Sequence, residues 1–128
     1  MRQHGFTIIT PVLPGQTAEL TTLLNKIGND IGDNGIIDFY ALTTVHFLRW
    51  AVLPGEKVRG TMIPDQLVLS TNFDGSKQAH LEELATKAGE GLRKIYQHCE
   101  GFPASQNPTE VANYLRRHVR KNAAFYVG

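Results

Sequence analysis

The run Ala41–Leu53, ALTTVHFLRWAVL, constrains this chain more than any other stretch. It is rich in β-branched and aromatic residues and meets no glycine or proline before Pro54, which is the composition of a strand. Successive residues of a strand point to opposite faces, so Thr44, His46, Leu48 and Trp50 share one face and Val45, Phe47, Arg49 and Ala51 the other. Neither set is cleanly polar. The strand is therefore expected to be covered on both sides and to lie centrally in a sheet. His46 and Arg49 then need partners, because an unpaired buried polar group or charge costs several kcal/mol.

Other elements follow in order. Gly5–Val12 reads as a first strand, with Phe6, Ile8 and Val12 on one face and Thr7, Ile9 and Pro11 on the other. Pro14-Gly15 is a turn. Leu20, Leu23, Leu24, Ile27 and Ile31 recur at helical spacing, with Thr17 as a cap. Gly32 to Gly35 ends that helix. Ile36–Tyr40 is either a short strand or an extended lead. Pro54–Met62 reads as a long hairpin connection or a flap over one end of the sheet. Asp65–Phe73 is the next strand, with Leu67, Leu69, Thr71 and Phe73 on one face. A single long helix is expected from Ser76 to about Cys99, on the stripe Leu81, Leu84, Ala85, Ala88, Leu92, Ile95, Tyr96 and Cys99. Asn107-Pro108-Thr109-Glu110 opens a last helix. It runs to His118 or Lys121, and Ala123–Val127 is a candidate closing strand.

The order β-α-β-β-α-α-β gives an α+β chain, a ferredoxin-like split βαβ sandwich with an antiparallel sheet and its helices on one face. With 128 residues and 41% apolar content, one domain accounts for the whole length. One layer of helices cannot bury two apolar sheet faces. A partner is expected on the second face: another copy, a neighbouring domain or an apolar ligand.

The formal net charge of +1 predicts no general affinity for nucleic acid or membrane. No apolar run approaches the roughly 20 residues of a membrane helix, and MRQHGFTIITPVLPG carries no signal-peptide core. The single cysteine, Cys99, rules out an internal disulfide and fits a cytoplasmic setting.

Three patches, VHFLRWAVL, LVLSTNFDGS and HCEGFP, occur in that order. Together they resemble a bacterial family of ferredoxin-like domains, mostly without assigned function. Its members stand alone or beside larger redox or peroxidase-like regions. The resemblance spans roughly residues 5–127. It implies the dimeric α/β barrel group, in which two sheets pack face to face and some members bind haem or oxidise small aromatic substrates. No set of haem ligands carries over residue by residue.

Candidate ligand-binding residues are His46, Phe47, Arg49, Trp50, Asn72 and Asp74. His46 suits acid–base chemistry or ligation, against the preferred reading of a core histidine satisfied by a carbonyl or carboxylate. Arg49 suits an acidic ligand group, against pairing with Asp74, Glu100 or Asp38. The two point to opposite faces unless a bulge intervenes. Asn72 to Gly75 suits an anion at a helix start, but Asp74 competes there, so capping is preferred. Cys99 continues an apolar stripe and reads as a buried thiol rather than a nucleophile. His4 and His80 have no companions at metal spacing and are read as surface residues. Arg116, Arg117, His118, Arg120 and Lys121 read as a solvated helix face, and base stacking on Phe47 and Phe73 lacks the usual basic surround. No metal site is expected.

Two function classes stay open. One is a dimer that binds a small apolar or aromatic ligand, haem included, between paired sheets, with oxidoreductase chemistry as an extension. The other is a non-catalytic dimerisation or interaction module.

Overall fold

A computed structural model describes residues 3–29, 37, 42, 45–103 and 107–120; the side chains of Gln3, His4, His46 and Phe47 lie outside the described set. The elements are β1 (Gln3–Pro11), α1 (Thr17–Asn29), β2 (Val45–Leu53), β3 (Glu56–Val58), β4 (Thr61–Ile63), β5 (Gln66–Asp74), α2 (Lys77–Lys87), α3 (Gly89–Tyr96), α4 (Pro108–Arg117) and β6 (Val119–Arg120). Among the described residues the main sheet has four strands in the order β2-β5-β1-β6, and every pairing is antiparallel. This α+β arrangement is compatible with the ferredoxin-like layout read from the element order.

Among the described residues β2 is an edge strand, not the central one expected. The central pair is β5 and β1, whose registers run from Gln3 opposite Asp74 to Pro11 opposite Gln66. The reason is visible in exposure. Leu67, Leu69 and Phe73 of β5 and Ile8 of β1 are wholly buried, whereas Trp50 and Val52 of β2 are half-buried and Arg49 is exposed. Mixed polarity in β2 reflects incomplete cover rather than two covered faces.

The sides of β1 and β5 follow the strand alternation. Phe6, Ile8 and Val12 join Leu67, Leu69 and Phe73 in one core, which also takes in Leu20, Leu84, Leu92, Ile95 and Leu115 from the four helices. In β2 the alternation is broken. Val45 pairs with Phe73 and Phe47 with Asn72, so His46 is the extra residue of a β-bulge. Val45, Leu48, Trp50 and Val52 thereby pack on the helical core.

Local chemistry explains the helix ends. Ser76 Oγ accepts from the Ala79 amide at 3.0 Å, and Gly75 supplies the turn with φ 92°. Asn107 Oδ1 accepts from the Glu110 amide at 2.9 Å, with Pro108 at the first position. The expected single helix from Ser76 to Cys99 is broken at Ala88 (φ −115°, ψ 13°), at the head of the sequence Gly89-Glu90-Gly91. Two glycines in three positions remove the helical bias that would carry the stripe through. β6 lies at Val119–Arg120; the candidate strand Ala123–Val127 and the segments 30–36 and 38–41 lie outside the described residues.

The HCEGFP patch is a clasp. Leu13 N–H donates to the His98 carbonyl at 2.8 Å and Glu100 N–H to the Pro11 carbonyl at 2.9 Å. Tyr114 hydroxyl donates to the Glu100 carbonyl at 2.8 Å. The connection Pro54–Met62 is a hairpin. β3 and β4 pair around Arg59 (φ 52°) and Gly60 (φ 80°), the two positive-φ positions of a type I′ turn. Both its strands are exposed throughout. No helix among the described residues is long and apolar enough to cross a membrane.

Candidate functional site

The described residues enclose a groove of about 340 Å³ between α1 and β2, lined by Thr17, Thr21, Leu24, Asn25, Trp50, Ala51, Val52, Pro54 and Asp65. α1 supplies one wall. Thr17, Thr21 and Asn25 recur every four residues and so stack along one helix face, with Leu24 beside them. β2 supplies the opposite wall, where Trp50 and Val52 present apolar surface. The indole is fixed from behind, because Trp50 Nε1–H donates to the Tyr96 hydroxyl oxygen at 3.2 Å. Burial is the main cause that raises the Tyr96 phenol far above its ordinary range.

Asp65 closes one end of the groove and ties three elements together. Its Oδ1 accepts from the Gly55 amide at 2.6 Å, and its Oδ2 from the Thr17 hydroxyl at 2.5 Å. Its carbonyl accepts from the Val12 amide at 2.8 Å. The Gly55 amide, then the Thr17 hydroxyl, hold its carboxyl below the usual value. Gly55 must be glycine, since a Cβ there would collide with the Ile63 and Pro64 backbone. Thr17 thus anchors α1 to Asp65.

The expected site residues do not form one cluster. Trp50 alone lines the groove. Arg49 and Asn72 lie on the non-helical face of the sheet. There Arg49, Ser70, Thr7 and Arg120 form one cross-strand row, and Asn72 stands opposite Gly5 in the next. Arg49 makes no ion pair among the described residues, so the expected pairing with Asp74 or Glu100 is not found, and Asp38, the third expected partner, lies outside the described residues. Asp74 stands opposite Gln3 at the strand end. His46 sits at the bulge, and its side chain, like that of Phe47, lies outside the described set. Phe73 is wholly buried under the helices, which removes it from the non-helical face as a stacking platform.

His80 is a correction. Expected at the surface, it is 1% exposed. Its ring stacks on Phe73 at 4.0 Å between centroids and 7° between planes, and Nε2 lies 3.0 Å from Thr71 Oγ1. Nδ1 has no hydrogen-bond partner among the described residues. Burial pulls its pKa down to about 4, against a smaller opposing influence of Glu83. Position 80 falls four and eight residues before Leu84 and Ala88, so the helical stripe itself contained the signal. Asp65 and the Thr17-Thr21-Asn25 face were missed as well. The four-residue spacing on α1 was legible, but the partner surface on β2 was not.

Cys99 is the buried thiol that its stripe suggested: 2% exposed, accepting from the Thr10 hydroxyl at 3.4 Å, and pushed up to about 11 by burial. A protonated, enclosed thiol is a poor nucleophile. His98 Nδ1 lies 2.7 Å from Gln16 Oε1 and His118 Nδ1 lies 2.8 Å from the Tyr114 carbonyl. Among the described residues no three metal-ligating side chains converge. No family model matches the chain, and no curated protein or solved structure matches it.

Proposed function

We propose that this chain is a binding domain for a small apolar or aromatic group, seated in the groove between α1 and β2. One observation carries the reading. A groove of about 340 Å³ places the indole of Trp50 beside Leu24, Val52 and Pro54, with a few polar groups at its rim. Small-molecule sites have this character, with volumes of roughly 300–1,000 Å³. The location differs from the space between paired sheets that the resemblance implies. Oxidoreductase chemistry is not part of the proposal. The lone, buried Cys99 supports a cytoplasmic setting.

Trp50 is the only tryptophan, so its emission reports on the groove directly. Titration with indole, naphthalene, N-acetylphenylalanine amide and hemin is expected to give a saturable change with at least one of them. Uniformly flat titrations overturn the reading. A Soret shift with hemin selects the haem expectation from the rest.

The row Ala51–Val68–Ile9 on the non-helical face is apolar across three strands, but Ile9 and Val68 are already buried within the single chain, so that row does not argue for a second copy paired sheet to sheet.

A further inference from the structure

One wall of the groove is β2, which among the described residues is an edge strand of the main sheet. β2 pairs with β5 on one side only, and no strand flanks its other side among the described residues. Trp50, Ala51 and Val52 line the groove opposite the Thr17-Thr21-Asn25 face of α1, and because backbone groups alternate along a strand, every second residue of that stretch turns its N–H and C=O away from β5. Natural sheets blunt such edges with proline, lysine or a bulge. In β2 the bulge lies at His46 and the proline at Pro54, outside the strand. The stretch between them is left regular, and it is the part that lines the groove. An edge strand beside a helix, with an apolar pocket between them, is the geometry that captures extended peptides by strand addition.

Charge narrows the occupant. Among the described residues, Asp65 is the one charged side chain in the lining, and no cation there answers it. Its carboxylate stays ionised, with two donors on it and lone pairs to spare. The positive end of α1 offsets part of that charge, so a basic side chain adds selectivity more than affinity.

We propose that the groove docks an extended peptide segment of a partner protein, which adds a strand to the β2 edge, seats one apolar or aromatic side chain against Trp50, Leu24 and Val52, and sets a basic side chain beside Asp65. This rests on the binding reading above and names its partner. Backbone pairing supplies affinity, and the Trp50 pocket supplies specificity.

The probe is an acetylated peptide of about six residues, alternating threonine and valine around one phenylalanine, with lysine at the end. Three companions accompany it: the same peptide N-methylated at alternate amides, the same peptide with glutamate for lysine, and N-acetylphenylalanine amide as the free anchor. Trp50 emission gives affinity, and amide exchange maps the edge. The unmodified peptide is expected to bind about tenfold or more tightly than either the N-methylated form or the free anchor, each lost backbone hydrogen bond weakening the complex. The glutamate form should bind a few-fold more weakly, and exchange should slow at the amides between Trp50 and Val52 that point away from β5 but not at Val119 and Arg120. Equal binding of the N-methylated peptide overturns the strand-addition proposal. Binding of the free anchor with no gain from the peptide also overturns it, while leaving the small-group reading intact. Failure of every probe removes both. A protein that sediments alone as a dimer, with Trp50 to Val52 already protected, puts a second copy on the edge and overturns the peptide assignment.

Discussion

The two ends of the helical side of the sheet differ in how they are closed. Around β1, β5 and α2, side chains interlock without solvent: Ile8, Leu69, Phe73 and Leu84 are wholly buried, and even the polar His80 is sealed in. Around β2 the same sheet runs out of cover, and the β3–β4 hairpin that follows is a separate, exposed two-stranded sheet. Trp50 and Val52 are half-buried, and Val58, Met62 and Ile63 stand 40%, 71% and 40% exposed. The closed end carries stability. The open end carries the surface that can meet something else.

The sharpest way to break that contrast is to shorten one side chain at each end. Leu69→Ala empties part of a close-packed core and is expected to cost about 2–5 kcal/mol in urea unfolding. Met62→Ala removes exposed surface and should stay within about 0.5 kcal/mol. Similar losses at both positions would show that the hairpin is packed in solution and that the open end is not open.

His80 sharpens the contrast through pH. Its pKa in the folded chain, about 4, lies below its ordinary value of 6.5. Above the ordinary value the ring is neutral in both states and contributes no pH dependence. Between 6.5 and about 4 the unfolded chain takes up a proton that the folded chain refuses, so stability falls with pH. Below about 4 both states hold the proton and the loss is complete. The gap is worth about 3 kcal/mol. Denaturation midpoints at about pH 7 and about pH 4.5 should differ accordingly in the wild type. His80→Phe, which keeps an aromatic ring on Phe73, should lose most of that difference. An unchanged pH slope in the variant would place the titrating group elsewhere.

A smaller effect is expected where the two ends meet. The Trp50 indole N–H donates to Tyr96, a buried residue of α3, across the boundary. Tyr96→Phe strands that donor in a half-buried site and should cost about 1 kcal/mol. Trp50 emission should shift at the same time, because the ring loses its anchor. Lost stability with unaltered emission would mean that the indole is held by packing alone.

Much of this division was legible in the residues. Strand alternation assigned Phe6, Ile8, Leu67, Leu69 and Phe73 to one face, and the caps at Ser76 and Asn107 were readable because each satisfies a local donor. What escaped depended on contacts distant in sequence. The edge position of β2 follows from β5 pairing with β1, a choice no local pattern in Ala41–Leu53 records. The bulge at His46 flips the side of Val45 through a single unpaired residue. Gly89 and Gly91 broke a stripe whose apolar spacing is otherwise unbroken. Of the candidate residues, Trp50 was found because a large aromatic in a strand is conspicuous. Asp65 was passed over because its role comes from Gly55 and Thr17, ten and forty-eight positions away.

Asp65 gives the most local prediction. Its two donors favour the ionised carboxylate, so its contribution is present above the ordinary value of 3.8 and is lost as pH falls through the lower folded value. Near neutral pH the residue should be insensitive to pH. Asp65→Asn removes the charge and leaves one carbonyl oxygen for two donors. Because Gly55 stands at the hairpin base and Thr17 at the start of α1, the change should loosen those junctions and leave the Leu69 core intact. Amide exchange at Gly55 should quicken several-fold while exchange at Leu69 holds steady. If Gly55 exchange is unmoved, the hairpin is carried by the close fit of Gly55 on the Ile63–Pro64 backbone rather than by the Asp65 carboxylate.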